Sequence, residues 1–125
     1  MVSVAARESA EGPLRVLELA GEADMTCRHL KDALDAEVAA GTPLLVVDLS
    51  GLSFMDSWTL RTILAAGREL RGAGGTMALA NPSRIARRVL ELTEADTLVP
   101  VHDSVVEASR RRPGARAQAP SGGCP

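Results

Sequence analysis

The sequence predicts an α/β domain: a mixed, mainly parallel β-sheet of four to five strands packed by α-helices, in the order β-β-α-β-α-β-α-β-α. Three observations carry this prediction. Short apolar runs alternate along the chain with segments of helical periodicity, and alternation of that kind builds a largely parallel sheet. Leu44-Leu45-Val46-Val47 is apolar on both faces, as a central strand covered by helices must be. The chain has 125 residues and is 46% hydrophobic, which suits one domain with a real core.

Taken in order, Met1 to Glu8 suits a short edge strand, and Glu11-Gly12-Pro13 is a turn. From Leu14 to Ala20 the side chains alternate as in a strand, and Gly21-Glu22-Ala23-Asp24 ends it. Strand pairing across that turn gives one antiparallel pair. Asp24 or Thr26 can cap a helix over about 25–40, in which Cys27, Leu30, Leu34 and Val38 recur at three- and four-residue steps. Gly41 stops it. The central strand Leu44–Val47 ends in Asp48, and a short loop leads to Asp56-Ser57. A second helix follows over about 57–72, with Leu60, Ile63, Leu64, Gly67 and Leu70 as its stripe. Gly72-Ala73-Gly74-Gly75 ends that helix and Thr76–Ala80 is a strand. Asn81-Pro82-Ser83 starts a third helix with the stripe Ile85, Ala86, Val89 and Leu90. Thr97–Val101 reads as a last short strand and Asp103–Ser109 as a last short helix. Residues 1–109 form the domain. Residues 110–125 are expected to be a disordered basic tail rich in Pro, Gly and Ala.

Composition narrows the function. The net charge is −2, but Arg110, Arg111, Arg112 and Arg116 lie in the tail; removing those four charges leaves −6 on residues 1–109. An acidic body with only Phe54 and Trp58 as aromatics suits neither phosphate-backbone binding nor base stacking, so no direct nucleic-acid partner is expected. No apolar run approaches the roughly 20 residues of a membrane span. Met1 to Ala10 carries Arg7 and Glu8 and no apolar core, unlike a secretory signal. The expected compartment is the cytosol. Cys27 and Cys124 show no metal-ligand or redox spacing; Cys27 reads as a small buried residue on a helix.

Several motifs fail on context. Asp48 ends an apolar strand, but no phosphate-binding G-x-x-x-x-G-K-[ST] loop accompanies it. The single lysine, Lys31, lies on the first helix, not after a later strand as a phospho-accepting Asp48 would need. Gly51-Leu52-Ser53-Phe54-Met55 lacks the second glycine of a nucleophile elbow. Gly72 to Gly75 precedes a strand, so its amides open no helix toward a phosphate. His29 and His102 have no ligand or base partner at useful spacing, and no metal or cofactor is expected.

Asp56-Ser57 remains, with two readings. Either oxygen can cap the helix. Alternatively, Ser57 is a regulated phosphoacceptor. A phosphate adds about −1.5 to −2 charges, which a helix start tolerates through its open N–H groups and dipole. A partner seated there would meet the new charge beside Asp24 and Asp56.

Gly21-Glu22-Ala23-Asp24, the stretch Val47-Asp48-Leu49-Ser50-Gly51-Leu52-Ser53-Phe54-Met55-Asp56-Ser57 and the Gly74-Gly75 turn before a strand closely resemble the STAS domain of bacterial anti-sigma factor antagonists. The resemblance covers about residues 3–108 and implies the STAS fold. It also implies a protein that is a substrate rather than an enzyme. The unmodified antagonist binds an anti-sigma factor, often a GHKL-type serine kinase, and frees a sigma factor. The kinase phosphorylates the serine of the Asp-Ser motif, and a PP2C-type phosphatase resets it. By position, the resemblance makes Ser57 the phosphoacceptor, with Asp24, Asp56, Ser57, Trp58 and Thr59 at the partner interface. A monomer is the expected state. One departure stands out: the family usually continues with a second Ser or Thr and then Gly, where this chain has Trp58 and Thr59. Trp58 either protrudes as an apolar anchor or folds back on the domain. That change also suits an alternative, a STAS module that binds or scaffolds without phosphorylation in a signalling or transport complex.

Overall fold

The computed structural model describes residues 2–8, 14–23 and 28–110. Its elements follow the expected order: β1 (Val2–Glu8), β2 (Leu14–Ala23), α1 (Arg28–Ala40), β3 (Leu44–Met55), α2 (Ser57–Gly72), β4 (Thr76–Ala80), α3 (Arg84–Thr93), β5 (Val101–His102) and α4 (Val105–Ser109). The sheet order is β1-β2-β3-β4-β5. β1 pairs antiparallel with β2 and every later pair is parallel. The expected turn at 11–13, the caps Asp24 and Thr26, Cys27, Cys124 and the tail 111–125 lie outside the described residues.

Strand β3 holds the centre because Leu44, Leu45, Val46 and Val47 are all buried. Leu45 and Val47 face one core with Leu17 and Leu19 of β2, Leu30 and Leu34 of α1, Ile63 and Leu70 of α2, and Leu90 of α3. Leu44 and Val46 face a smaller core with Val16, Ala78 and Ala80, covered by Val105 and Ala108 of α4. Three helices therefore pack on one face of the sheet and the short α4 on the other. Among the described residues, no helix is long and apolar enough to cross a membrane.

Four expectations need correction. The loop expected after Asp48 is strand: β3 continues to Met55 alongside β2, and β2 itself runs on through Gly21 and Glu22 to Ala23 instead of ending at Ala20, because those residues pair with the extended β3. Glu18 pairs with Asp48 but Ala20 with Gly51, and Gly21 pairs with Leu52 but Glu22 with Phe54. Each time β3 carries one extra residue, a β-bulge, and each bulge switches which face the next side chain meets. Leu49, Leu52 and Met55 consequently all enter the same core at a spacing of three, which hid the strand from a search for alternation. The Asp48 carboxylate holds the first bulge by accepting the Ser50 N–H at 2.9 Å.

The strand expected over Thr97–Val101 is shorter and later. Ala95–Thr97 is a 3-10 turn. The Thr97 and Leu98 N–H groups donate to Glu94 and Ala95 carbonyls at 3.1 and 2.9 Å, so those donors are spent locally. Pairing with β4 is left to Val101 and His102. Ile85 does not join the core stripe of α3. Ala86 and Leu90, one turn apart, take the inward face and leave Ile85 on the flank, 44% exposed.

Charged as it is, Glu37 of α1 is only 5% exposed. Its carboxylate accepts from the Arg15 guanidinium at 2.9 Å and from the Thr42 hydroxyl at 2.6 Å. The hydrogen bond and the charge of Glu37 raise the Arg15 pKa above its ordinary value, so the guanidinium stays charged. It clamps the end of α1 to the start of β2.

Candidate functional site

The site is built where β2 and β3 end side by side. Met55 is buried at the end of β3, and the chain leaves the sheet through Asp56 in an extended conformation (φ −95°, ψ 172°). That geometry suits a helix cap. The Thr59 N–H donates to Asp56 Oδ1 at 2.8 Å, and the Leu60 N–H donates to the Asp56 carbonyl at 3.2 Å. The Asp56 N–H itself donates to the Ala23 carbonyl at 3.2 Å, tying the start of α2 to the end of β2. Asp24, the expected acid beside the site, lies outside the described residues, but Ala23, its neighbour in sequence, is held against Asp56.

Capping therefore belongs to Asp56, which releases Ser57 from that task. Ser57 is the first residue of α2 and is exposed. No described side chain is hydrogen-bonded to its hydroxyl. The positive end of a 16-residue helix stands behind it. An exposed hydroxyl with no hydrogen-bonded base among the described residues is a weak nucleophile on its own. Among the described residues, no three His, Cys, Asp or Glu side chains gather as a metal site.

The two residues after Ser57 diverge. Thr59 is fully buried and its Oγ1 has no hydrogen-bond partner among the described residues. Its side chain cannot meet a partner, contrary to the interface expected from the resemblance. Trp58 is half-buried and lines a groove of about 310 Å³ between α1 and α2, with Lys31, Leu34, Asp35, Arg61 and Thr62. Of the two expected orientations, the structure shows the one folded along the domain. Lys31 on the facing wall donates to Asp35 at 2.9 Å, and this bond raises its pKa.

Phe54 adds an exposed aromatic that the sequence does not single out as part of the site. Phe54 is 46% exposed, three residues before Ser57, and pairs in register with Glu22, which is also exposed. The second bulge turns it outward. Its signal was the break in alternation between Leu52 and Met55. Ser57, Asp56, Phe54 and Glu22 thus collect at the carboxyl ends of β2 and β3, the end at which open α/β sheets bind their ligands.

Comparison with known proteins follows the same outline. Residues 6–100 match the family model described as the Mlab, STAS domain. An anti-sigma F factor antagonist from Lysinibacillus sphaericus is 34% identical over 80 residues, covering 62% of this chain and 68% of that protein. A Thermotoga maritima protein, provisionally described as an anti-sigma factor antagonist, is 35% identical over 60 residues, covering 48% of this chain. That match spans about half of the Thermotoga protein, 53% of its length. The crystal structure of an anti-sigma factor antagonist from Mycobacterium paratuberculosis superimposes with a TM-score of 0.78 at 28% identity, covering 86% of this chain and 91% of the other.

Proposed function

The chain belongs to the STAS-domain family, and from that premise we propose that it is an anti-sigma factor antagonist switched at Ser57. In its unmodified form it binds a cytosolic anti-sigma factor of the GHKL serine-kinase type and thereby releases a sigma factor. Phosphorylation of Ser57 by that kinase ends the complex, and a PP2C-type phosphatase restores it. The protein is then a binding partner and a substrate, not an enzyme. One observation supports this reading above the others: Asp56 performs the capping, so the exposed Ser57 hydroxyl at the positive end of α2 is uncommitted among the described residues. A phosphate there gains from the helix dipole and leaves the core untouched. The surface a partner would cover includes Asp56, Ser57, Phe54 and the exposed edge of Trp58, with Asp24 a proposed neighbour.

A second reading draws on Trp58 and Thr59. A large side chain in the α1/α2 groove and a buried threonine occupy positions where the family usually has small residues. A kinase backbone needing close approach to the helix start would meet Trp58. The domain would then bind without being modified, as a constitutive STAS module.

Incubation with ATP and the GHKL-type kinases of the same genome, followed by intact-mass and peptide mass spectrometry, separates the two. The switch predicts one added phosphate on Ser57 that is absent from Ser57→Ala. Tight binding of a kinase with no added phosphate would instead establish the constitutive module.

A further inference from the structure

Helix α2 borders a second concavity, on the side facing β4 and the segment before β5. Leu64, Gly67, Arg68 and Arg71 contribute one stripe at three- and four-residue steps, and Met77, Leu98 and Val99 close the other side around about 140 Å³. The interior is apolar: Met77 is 3% exposed and Val99 5%. Gly67 keeps the space open, because a methyl group there would come within 3.1 Å of Met77 Sδ. Leu98 stands at the mouth, 64% exposed. Arg68 and Arg71 are exposed at the rim, and among the described residues neither has a carboxylate within ion-pair distance. Gly67 lies ten residues along α2 from Ser57, about 15 Å at 1.5 Å per residue. The pocket is therefore separate from the helix start.

We propose that this pocket binds a small amphiphilic carboxylate of about the size of benzoate or hexanoate. Size sets the apolar part, since an apolar protein cavity of roughly 150 Å³ accepts a benzene-sized group. Charge sets the head group. Two guanidiniums without acidic partners among the described residues, one helical turn apart at the mouth, offer paired N–H donors that match a carboxylate. Neither half explains the other alone: a bare anion has no use for the Leu64–Met77–Val99 wall, and a neutral hydrocarbon has no use for the arginines.

The test uses the full chain carrying ¹³C-methyl methionine, with the Met77 methyl assigned by Met77→Leu. Benzoate and hexanoate are titrated in parallel with benzyl alcohol and hexanol. The proposal expects a saturable shift of the Met77 methyl with the acids, and weaker binding of the alcohols. Arg68→Gln combined with Arg71→Gln should weaken the acids by about tenfold or more and leave the alcohols unchanged. Both arginines are exposed, and an unmoved Met55 methyl reports an intact core in the variant. Absence of a saturable Met77 shift at millimolar acid, equal binding of acids and alcohols, or full acid affinity in the double variant would each overturn it. The outcome is independent of whether Ser57 is modified.

Discussion

Ser57 and Thr59 are two residues apart on one helix turn and meet opposite environments. Ser57 is exposed with its hydroxyl uncommitted among the described residues, whereas the Thr59 hydroxyl is buried without a described partner. A buried, unsatisfied hydroxyl costs about 1–3 kcal/mol, and an isosteric apolar replacement recovers part of that. Thr59→Val should raise stability by about 1 kcal/mol in urea or guanidinium denaturation. Destabilisation by that substitution would show that the hydroxyl has a partner in solution. The exposure of Ser57 was legible from its place in the Asp-Ser motif. The burial of Thr59 was legible only in its helical phase, one turn before Ile63, and a threonine does not announce itself in an apolar stripe. The buried Glu37 was missed for a similar reason: its partners Arg15 and Thr42 are 22 and 5 residues away, a pairing that the spacing along α1 cannot display.

At the scale of elements, the central strand decides where the site stands. The four apolar residues at its start were plain in the sequence. The rest was not, because two bulges convert a period of two into the spacing Leu49, Leu52, Met55. The first bulge brings backbones close. A Cβ on Gly51 would lie 2.8 Å from the Ala20 Cβ and 2.9 Å from the Leu19 carbonyl oxygen. Real Cβ atoms do not approach so closely, so β2 and β3 would have to separate just before the Asp56 anchor on Ala23. Gly51→Ala should therefore destabilise the protein by about 1–3 kcal/mol, as measured by thermal or chemical unfolding. Unchanged stability would mean that the two strands are not held in this register. The α2 boundaries, by contrast, were legible at both ends: a capping Asp-Ser pair in front and a glycine-rich stop behind.

At the scale of the whole molecule, strand order, helix placement and site location form one consequence of the βα alternation. Three helices share a face of the sheet, so the starts of α1 and α2 lie at the same end as the termini of β2 and β3. A charge added at that end reaches solvent and any bound partner but not the core. Phosphorylation should therefore alter affinity without altering the fold, and Ser57→Asp should unfold as the wild type does while binding its partner more weakly. The titration that bears most directly on this measures the affinity of the anti-sigma kinase proposed as partner for the protein before and after stoichiometric phosphorylation of Ser57. The single tryptophan, Trp58, serves as the fluorescence reporter beside the modified residue. The proposed switch predicts a loss of affinity of roughly 5- to 150-fold, the usual range of coupling between a modification and a binding event, with an unchanged circular dichroism spectrum. Equal affinity of the two forms would contradict it.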